Sequence, residues 1–149
     1  MAALLGSVDL FGKRKRAIER ILIVEDEPLA AFDNEQRLER LGYKVVGTRD
    51  NFEDGRRDLE FEQIDLLLAD INLAGEKSGI DLAELAAGKG IPVLFATGNP
   101  PKQCAVYAIG SLVKPYNDRQ LKDAIDTVDR IIAGENPKPS KGLTLYERA

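Results

Sequence analysis

The sequence has no histidine and no tryptophan, and it has a single cysteine, Cys104, among its 149 residues. The absence of histidine excludes a Ser-His-Asp triad, a histidine metal ligand and a phosphohistidine within these residues. One cysteine excludes an internal disulfide and a CxxC site, and it fits a reducing cytoplasm. We interpret Cys104 as a small, partly buried apolar residue rather than a reactive thiol.

Long apolar runs are also absent. No stretch approaches the ~18–20 residues of a membrane span. At the N-terminus the basic cluster follows the apolar residues, whereas a secretory signal has the reverse order. We therefore expect no membrane span and a cytoplasmic location.

The net charge of −4 and the pI near 5.0 argue against bulk electrostatic binding to nucleic acid, and they suit binding of a cation. Hydrophobic residues make up 44% of the chain and charged residues 31%, which is typical of a globular protein. A length of 149 residues favours one domain with a single core.

Short apolar segments alternate with amphipathic ones along the chain. The apolar segments predict five strands, at residues 20–24, 43–48, 65–70, 92–97 and 111–115. The amphipathic segments predict helices from Pro28 to Gly42, over 51–61, over 79–88, and from a cap at Asn117 to Gly134, with a short helical stretch at best over 102–108. This alternation predicts an α/β fold with a doubly wound, five-stranded parallel sheet, helices on both faces, and a fourth helix that is short or irregular.

Flanking segments lie on either side of this pattern. Residues 1–19 form a basic N-terminal extension, which is either a solvated arm or an arm that docks on a partner or an anionic surface. Residues 20–133 form the folded domain, and the Pro/Lys-rich residues 134–149 are expected to be a flexible tail.

Polar residues occur where the predicted strands end. Glu25 and Asp26 follow the first strand, while Asp70, Thr97 and Lys114 end the third, fourth and fifth strands. Each has a structural explanation when taken alone: Asp26 could cap the next helix, Thr97 could be a β-branched strand end, and Lys114 could be a solvated lysine. Taken together they are unlikely to arise by chance, because the carboxyl ends of parallel strands meet where such sheets bind ligands.

This set of side chains has a definite chemistry. Two carboxylates ~4 Å apart repel by about 4 kcal/mol at an effective dielectric near 20, and a cation between them removes that repulsion. Oxygen ligands suit Mg²⁺. An aspartate oxygen can attack a phosphoryl group to form an aspartyl phosphate, while the metal and a lysine neutralise the transferring oxygens.

Four stretches, "ILIVEDEP", "LLLADINL", "FATG" and "LVKPY", resemble the receiver domain of bacterial two-component response regulators over roughly residues 20–133. The resemblance implies a flavodoxin-like sheet with strand order 2-1-3-4-5. It also implies a role for each site residue: Asp70 as phosphoacceptor, Thr97 as switch hydroxyl, Lys114 as phosphate contact, and Glu25, Asp26, Asp70 and the backbone carbonyl of Asn72 as Mg²⁺ ligands. Pro115 fits a lysine–proline turn that is often cis in this family.

The implied function is that of a single-domain response regulator, a signalling protein that catalyses only its own phosphorylation and dephosphorylation. A sensor histidine kinase or a histidine phosphotransfer protein would donate the phosphoryl group to Asp70. The output would be binding of a downstream protein partner or relay of the phosphate, without direct DNA binding. One alternative is a Mg²⁺-dependent phosphohydrolase with an aspartate nucleophile, although such enzymes usually carry a second aspartate where Asn72 stands. Another alternative is a binding module that is not phosphorylated.

Three features depart from the common receiver pattern. Ser111 occupies the position, three residues before the lysine, where receivers usually have an aromatic ring that moves with the threonine. The segment "FATGNP" is similar in part to the FATGUY subgroup of receivers, and we expect residues 98–110 to reorder in place of the usual switch. Asn72 and Asn99 lie two residues after Asp70 and Thr97, and we predict that their amides orient water and give only modest hydrolysis of the phosphoryl group.

Overall fold

The computed structural model describes residues 16–73, 75–100 and 107–146. The predictions for Cys104, for residues 1–15 and for most of the short helical stretch over 102–108 lie outside this range. The strands are β1 Arg20–Val24, β2 Lys44–Arg49, β3 Leu66–Ala69, β4 Val93–Thr97, β5 Gly110–Val113 and β6 Leu143–Leu145. The helices are α1 Pro28–Arg40, α2 Phe52–Phe61, α3 Gly79–Gly88 and α4 Asp118–Ile132.

The six strands form one sheet in the order β2-β1-β3-β4-β5-β6. The first five are parallel to their neighbours, which confirms the predicted doubly wound sheet and its strand order. Residues of β3 and β4 are buried throughout, because helices cover both faces. Leu38 of α1 and Leu121 of α4 pack on one face, while Leu59 of α2 and Leu82 of α3 pack on the other.

A sixth, antiparallel strand adds to the five predicted parallel strands, and it places residues 143–146 of the predicted flexible tail (residues 134–149) on the sheet. β6 pairs antiparallel with β5, and its backbone donates from Tyr146 N to Ile109 O at 2.9 Å. The physical reason is burial: the side chains of Leu143 and Tyr146 are only 6% and 8% exposed. The alternating apolar and polar residues of "LTLY" are a strand pattern that the preceding prolines and lysines obscure.

The domain also begins earlier than the predicted boundary at residue 20. Ile18 is fully buried. The buried Asp129 of α4 accepts hydrogen bonds from the backbone N–H groups of Ala17 and Ile18, at 3.0 Å each. The Arg16 guanidinium lies 4.4 Å from the centre of the Tyr43 ring, a cation–π distance. Residues 16–19 are therefore part of the fold.

Helix capping follows the sequence signals with one correction. Asn117 caps α4, and Gln120 completes the predicted capping box. At α1 the cap is Glu27 rather than Asp26, because the Glu27 carboxylate accepts from the backbone N–H of Ala30 at 2.6 Å. Asp26 is consequently not engaged as the cap of α1.

Among the residues that the structure describes, no helix is long and apolar enough to cross a membrane.

Candidate functional site

Three carboxylates meet at the carboxyl edge of the sheet. Glu25 and Asp26 follow β1, and Asp70 follows β3, the strand next to β1. One carboxylate oxygen from each lies within 4.8 Å of the other two. The backbone fixes these positions, since Asp70 N donates to Val24 O at 2.9 Å and Glu25 N donates to Arg49 O at 2.8 Å.

Lys114 brings a positive charge to the same place from the end of β5. Its ammonium lies 3.1 Å from Asp70 Oδ2 and also donates to Glu25 Oε1. The lysine is positioned by its backbone, because Lys114 N donates to Thr97 O at 2.9 Å. The predicted cis bond between Lys114 and Pro115 is present.

The pKa values of the two central carboxyl groups, those of Glu25 and Asp70, are shifted in opposite directions. Burial raises the pKa of Glu25 to about 7, and the neighbouring Asp70 adds to this while Lys114 opposes it. Burial also acts to raise the pKa of Asp70, but hydrogen bonds from Glu25, the Asn72 amide and Lys114 outweigh it and lower that pKa. Burial acts to lower the pKa of Lys114, and hydrogen bonds to the Glu25 and Asp70 carboxylates reverse this and raise it. Asp70 is therefore the more readily ionised of the two carboxyl groups.

A buried oxygen at the centre of the cluster lacks a donor. Glu25 is 2% exposed, and its Oε2 accepts no hydrogen bond from any residue that the structure describes. A buried carboxylate oxygen without a partner is costly, and a bound cation would satisfy it. The donor set, carboxylate oxygens with no sulfur or nitrogen ligand among them, fits a hard cation such as Mg²⁺.

The loop after β3 orients Asp70. Asn72 N donates to Asp70 Oδ1 at 3.1 Å, so both carboxylate oxygens of Asp70 accept hydrogen bonds. Gly79, the first residue of α3, lies against this loop and donates to Ile71 O at 2.8 Å. A Cβ added at Gly79 would lie 1.9 Å from Asp70 O, so no other residue fits there without a shift of backbone. The sequence indicates this role of Gly79 only by its place after Ser78, the cap of α3.

Thr97 ends β4 at the same edge of the sheet and is 2% exposed. Its hydroxyl accepts from Asn99 N at 3.3 Å. The structure thus places all the predicted site residues at one edge, and it brings Glu25, Asp26, Asp70 and Lys114 into one cluster. The roles of Thr97 and of the Asn72 carbonyl stay predictions.

Tyr116 connects the lysine turn to α1. Its hydroxyl donates to the buried Asn34 Oδ1 at 2.6 Å. The Arg37 guanidinium lies 5.5 Å from the centre of the Tyr116 ring and donates to Tyr116 O. Burial raises the pKa of Tyr116 to about 12, so its hydroxyl remains a donor.

A cleft of about 250 Å³ opens beside the carboxylates. It is lined by residues from the ends of β1 and β2 and the starts of α1 and α2: Glu25, Asp26, Pro28, Ala31, Thr48, Arg49, Asp50 and Asp54. Four carboxylates and one guanidinium are among these side chains, so the cleft is predominantly acidic.

The fold and the site together define a doubly wound α/β protein with an acidic, lysine-bearing site at the carboxyl ends of its strands. The model of the response regulator receiver domain family matches residues 21–126, and the chain belongs to that family. This confirms the resemblance to receiver domains found in the sequence, and receiver domains are signalling proteins.

Known proteins of this family align with most of the chain. The sensory transduction protein LytR of Staphylococcus haemolyticus is 33% identical over 123 residues, covering 78% of this chain and 48% of LytR. The phyllosphere-induced regulator PhyR of Methylorubrum extorquens is 42% identical over 84 residues, covering 55% of this chain and 32% of PhyR. The crystal structure of the signal receiver domain of a modulated diguanylate cyclase from Desulfovibrio desulfuricans G20 matches with a TM-score of 0.69 and 32% identity, covering 78% of this chain and 97% of that one. The chain spans about half the length of LytR and a third of PhyR.

Proposed function

We propose that this receiver domain accepts a phosphoryl group on Asp70, with Mg²⁺ bound by Glu25, Asp26, Asp70 and the backbone carbonyl of Asn72. The observation that carries the proposal is the meeting of three carboxylates within 4.8 Å of one another, with the Lys114 ammonium 3.1 Å from Asp70. Family membership supports it, because receiver domains typically bind Mg²⁺ at an acidic pocket of this kind.

Asp70 is the nucleophile of the proposed transfer. One oxygen of Asp70 attacks phosphorus, the new O–P bond forms as the N–P bond of a phosphohistidine breaks, and the electron pair remains on the imidazole nitrogen of the donor. Asp70 is suited to this role because its lowered pKa keeps it ionised. When bound, Mg²⁺ supplies positive charge beside the transferring oxygens.

Lys114 and Thr97 act on the phosphoryl group after it arrives. The Lys114 ammonium already contacts Asp70, so it needs only a small side-chain movement to contact a phosphoryl oxygen. The Thr97 hydroxyl, at the end of the neighbouring strand, donates a hydrogen bond to another phosphoryl oxygen. Each contact favours the conformation that binds the phosphoryl group better.

The donor is a sensor histidine kinase or a histidine phosphotransfer protein, since the 149 residues contain no histidine of their own. The output is binding of a downstream protein partner, or relay of the phosphate, in the cytoplasm. The net charge of −4 supports a protein partner over direct contact with DNA.

Incubation of the full chain with acetyl phosphate and Mg²⁺, followed by intact mass measurement, tests the proposal. We expect one phosphoryl adduct on the wild type and none on Asp70→Asn. Asp33→Asn, at an exposed aspartate of α1, is the matched control and should be labelled like the wild type. An adduct on Asp70→Asn, or none on the wild type, would overturn the proposal, and steady turnover of phosphomonoesters would favour a phosphohydrolase instead.

Asn72 and Asn99 provide a second test, of the phosphoryl lifetime. Asn72 is exposed beside Asp70. The backbone N–H of Asn99 donates to the Thr97 hydroxyl. If their side chains orient the attacking water, Asn72→Ala and Asn99→Ala change the decay rate of the acyl phosphate. Equal decay rates in the wild type and both variants would contradict this role.

A further inference from the structure

The hydroxyl of Ser111 has a buried partner, the hydroxyl of Tyr146, that no local sequence pattern indicates. Ser111 is 0% exposed, and its Oγ lies 2.5 Å from the Tyr146 hydroxyl. Tyr146 belongs to the apolar cluster that also contains Phe95, and Phe95 pairs with Ser111 in the sheet. An aromatic ring from the segment after β6 thus lies against the position where Ser111 replaces one.

The backbone of β6 is held against β5 by close contacts. Tyr146 N donates to Ile109 O at 2.9 Å, and Val113 N donates to Gly142 O at 3.0 Å. A Cβ added at Gly110 would lie 2.5 Å from Thr144 O, so the two strands approach as closely as glycine permits. β6 thus covers the free edge of β5 with only three strand residues.

The backbone next to this cover is joined to the site through β5, since Lys114 N donates to Thr97 O at 2.9 Å and Val113 N donates to Gly142 O at 3.0 Å. Thr97 follows Phe95 by two residues on β4, so Thr97 and Ser111 lie on the same face of the sheet. The Thr97 hydroxyl accepts from Asn99 N at 3.3 Å, at the start of the connection from β4 to β5. At the end of that connection, Ile109 donates to Val93 O on β4 and accepts from Tyr146.

We propose that β6, fastened by Tyr146, is a cover over the β5 edge that is released when Asp70 is phosphorylated. The inference rests on the proposed function. Its direction follows from the geometry: Tyr146 is 8% exposed and already hydrogen-bonded to Ser111, so the ring has no deeper position to take. Recruitment of the Thr97 hydroxyl to a phosphoryl oxygen shifts the end of β4, and the backbone hydrogen bonds from Lys114 to Thr97 and from Val113 to Gly142 carry the shift to β6. Release uncovers the backbone N–H and C=O groups along the outer edge of β5.

Coupling between two equilibria is reciprocal, so if phosphorylation favours release of β6, attachment of β6 must disfavour phosphorylation. Tyr146→Phe removes the hydroxyl and keeps the ring. We expect it to tighten binding of beryllofluoride, a phosphoryl mimic, about fivefold, the factor that one net hydrogen bond typically contributes. Ser111→Ala breaks the same contact from the other side and should act in the same direction.

The experiment uses the full chain with Mg²⁺, with and without beryllofluoride. NMR shifts at Asp70 and Thr97 report the site, and amide hydrogen exchange at Val113 and Tyr146 reports the cover. We expect exchange at these two amides to accelerate about tenfold with beryllofluoride, within the usual range of allosteric coupling. Tyr43→Phe is the matched control, since Tyr43 is a buried tyrosine on the opposite face of the sheet.

The outcomes separate the two proposals. If the site shifts respond while exchange at Val113 and Tyr146 is unchanged, the cover is refuted and the phosphoacceptor stands. Equal beryllofluoride affinity in the wild type, Tyr146→Phe and Ser111→Ala would also refute it, as would an equal gain in Tyr43→Phe. If the site itself does not respond, the proposed function fails, and the cover fails with it.

Discussion

Replacing Gly79 with alanine is expected to damage the site through the backbone alone. The added Cβ would lie 1.9 Å from Asp70 O, 2.8 Å from Asp70 C and 2.9 Å from the Ile71 Cα. All three atoms belong to the backbone of the loop after β3, so no side-chain rotation can relieve the contact. The hydrogen bond from Gly79 N to Ile71 O, at 2.8 Å, holds the two segments at this separation.

The size of the effect follows from the distance. Real Cβ atoms essentially never approach a neighbour closer than 3.0 Å, so the loop or the start of α3 must move by about 1 Å. Overpacking of this kind typically costs about 1–3 kcal/mol of stability. A misplacement of about 1 Å at a reacting group can lower a rate by roughly 10²-fold, and Asp70 and Asn72 are the groups displaced here.

Two assays and one control test this reasoning. Urea denaturation should show Gly79→Ala less stable than the wild type, and labelling by acetyl phosphate should be slower by one to two orders of magnitude, roughly. Gly88→Ala, at the other end of α3, is the matched control because its added Cβ meets nothing within 4 Å. It should be neutral or stabilising by up to about 1 kcal/mol. A Gly79→Ala protein with the stability and labelling rate of Gly88→Ala would refute the argument.

Three further predictions concern the residues around the cluster. Glu27→Ala removes the cap of α1 and should cost about 1 kcal/mol in urea denaturation, whereas Asp26→Ala without Mg²⁺ should not destabilise the protein; the reverse ranking would contradict the assignment of the cap. The pKa of Glu25 is raised to about 7 from an ordinary 4.5, so between these pH values the folded protein binds more protons than the unfolded chain. The free energy of unfolding therefore falls as the pH rises from about 4.5 to 7. If Mg²⁺ binds the ionised carboxyl, as proposed, it should raise the melting temperature more at about pH 8 than at about pH 5.5, and an equal rise at both would contradict the shift. Tyr116→Phe leaves Asn34 Oδ1 without its donor and should cost about 1–3 kcal/mol; a cost below about 0.5 kcal/mol would show that the hydrogen bond contributes little.

The sheet and the carboxylate cluster were predictable because they depend on local patterns. The buried run before Asp70 has the strand composition, and parallel strands converge at their carboxyl ends, which places Asp70 beside Glu25. Asn117 and Gln120 predicted the cap of α4 from a spacing of three residues. In each case the deciding residues are close in sequence, or the sheet rule brings them together.

The features that escaped prediction depend on contacts between distant residues. The bond between Ser111 and Tyr146 joins positions 35 residues apart, and no local pattern indicates it. The fit of Gly79 against Asp70 O depends on a separation about 1 Å too short for a side chain, which follows from packing of α3 on the sheet. The choice of Glu27 over Asp26 as the cap depends on the backbone direction after β1, which the two neighbouring acids do not reveal.

The contacts of Tyr116 have a consequence for how the site meets an incoming anion. Tyr116 lies two positions after Lys114 and contacts two residues of α1. Its hydroxyl donates to Asn34, and Arg37 contacts both its ring and its carbonyl. The backbone of the lysine turn is therefore immobilised against a helix whose first turn begins two residues after Asp26. The carboxylates and the lysine turn are thus tied to the same helix, so an anion that contacts Lys114 beside Asp70 would meet side chains already held at a fixed spacing at this end of the sheet. If the transfer takes place here as proposed, these charged groups are already oriented in the folded protein, whereas water molecules would have to reorient around the same charges.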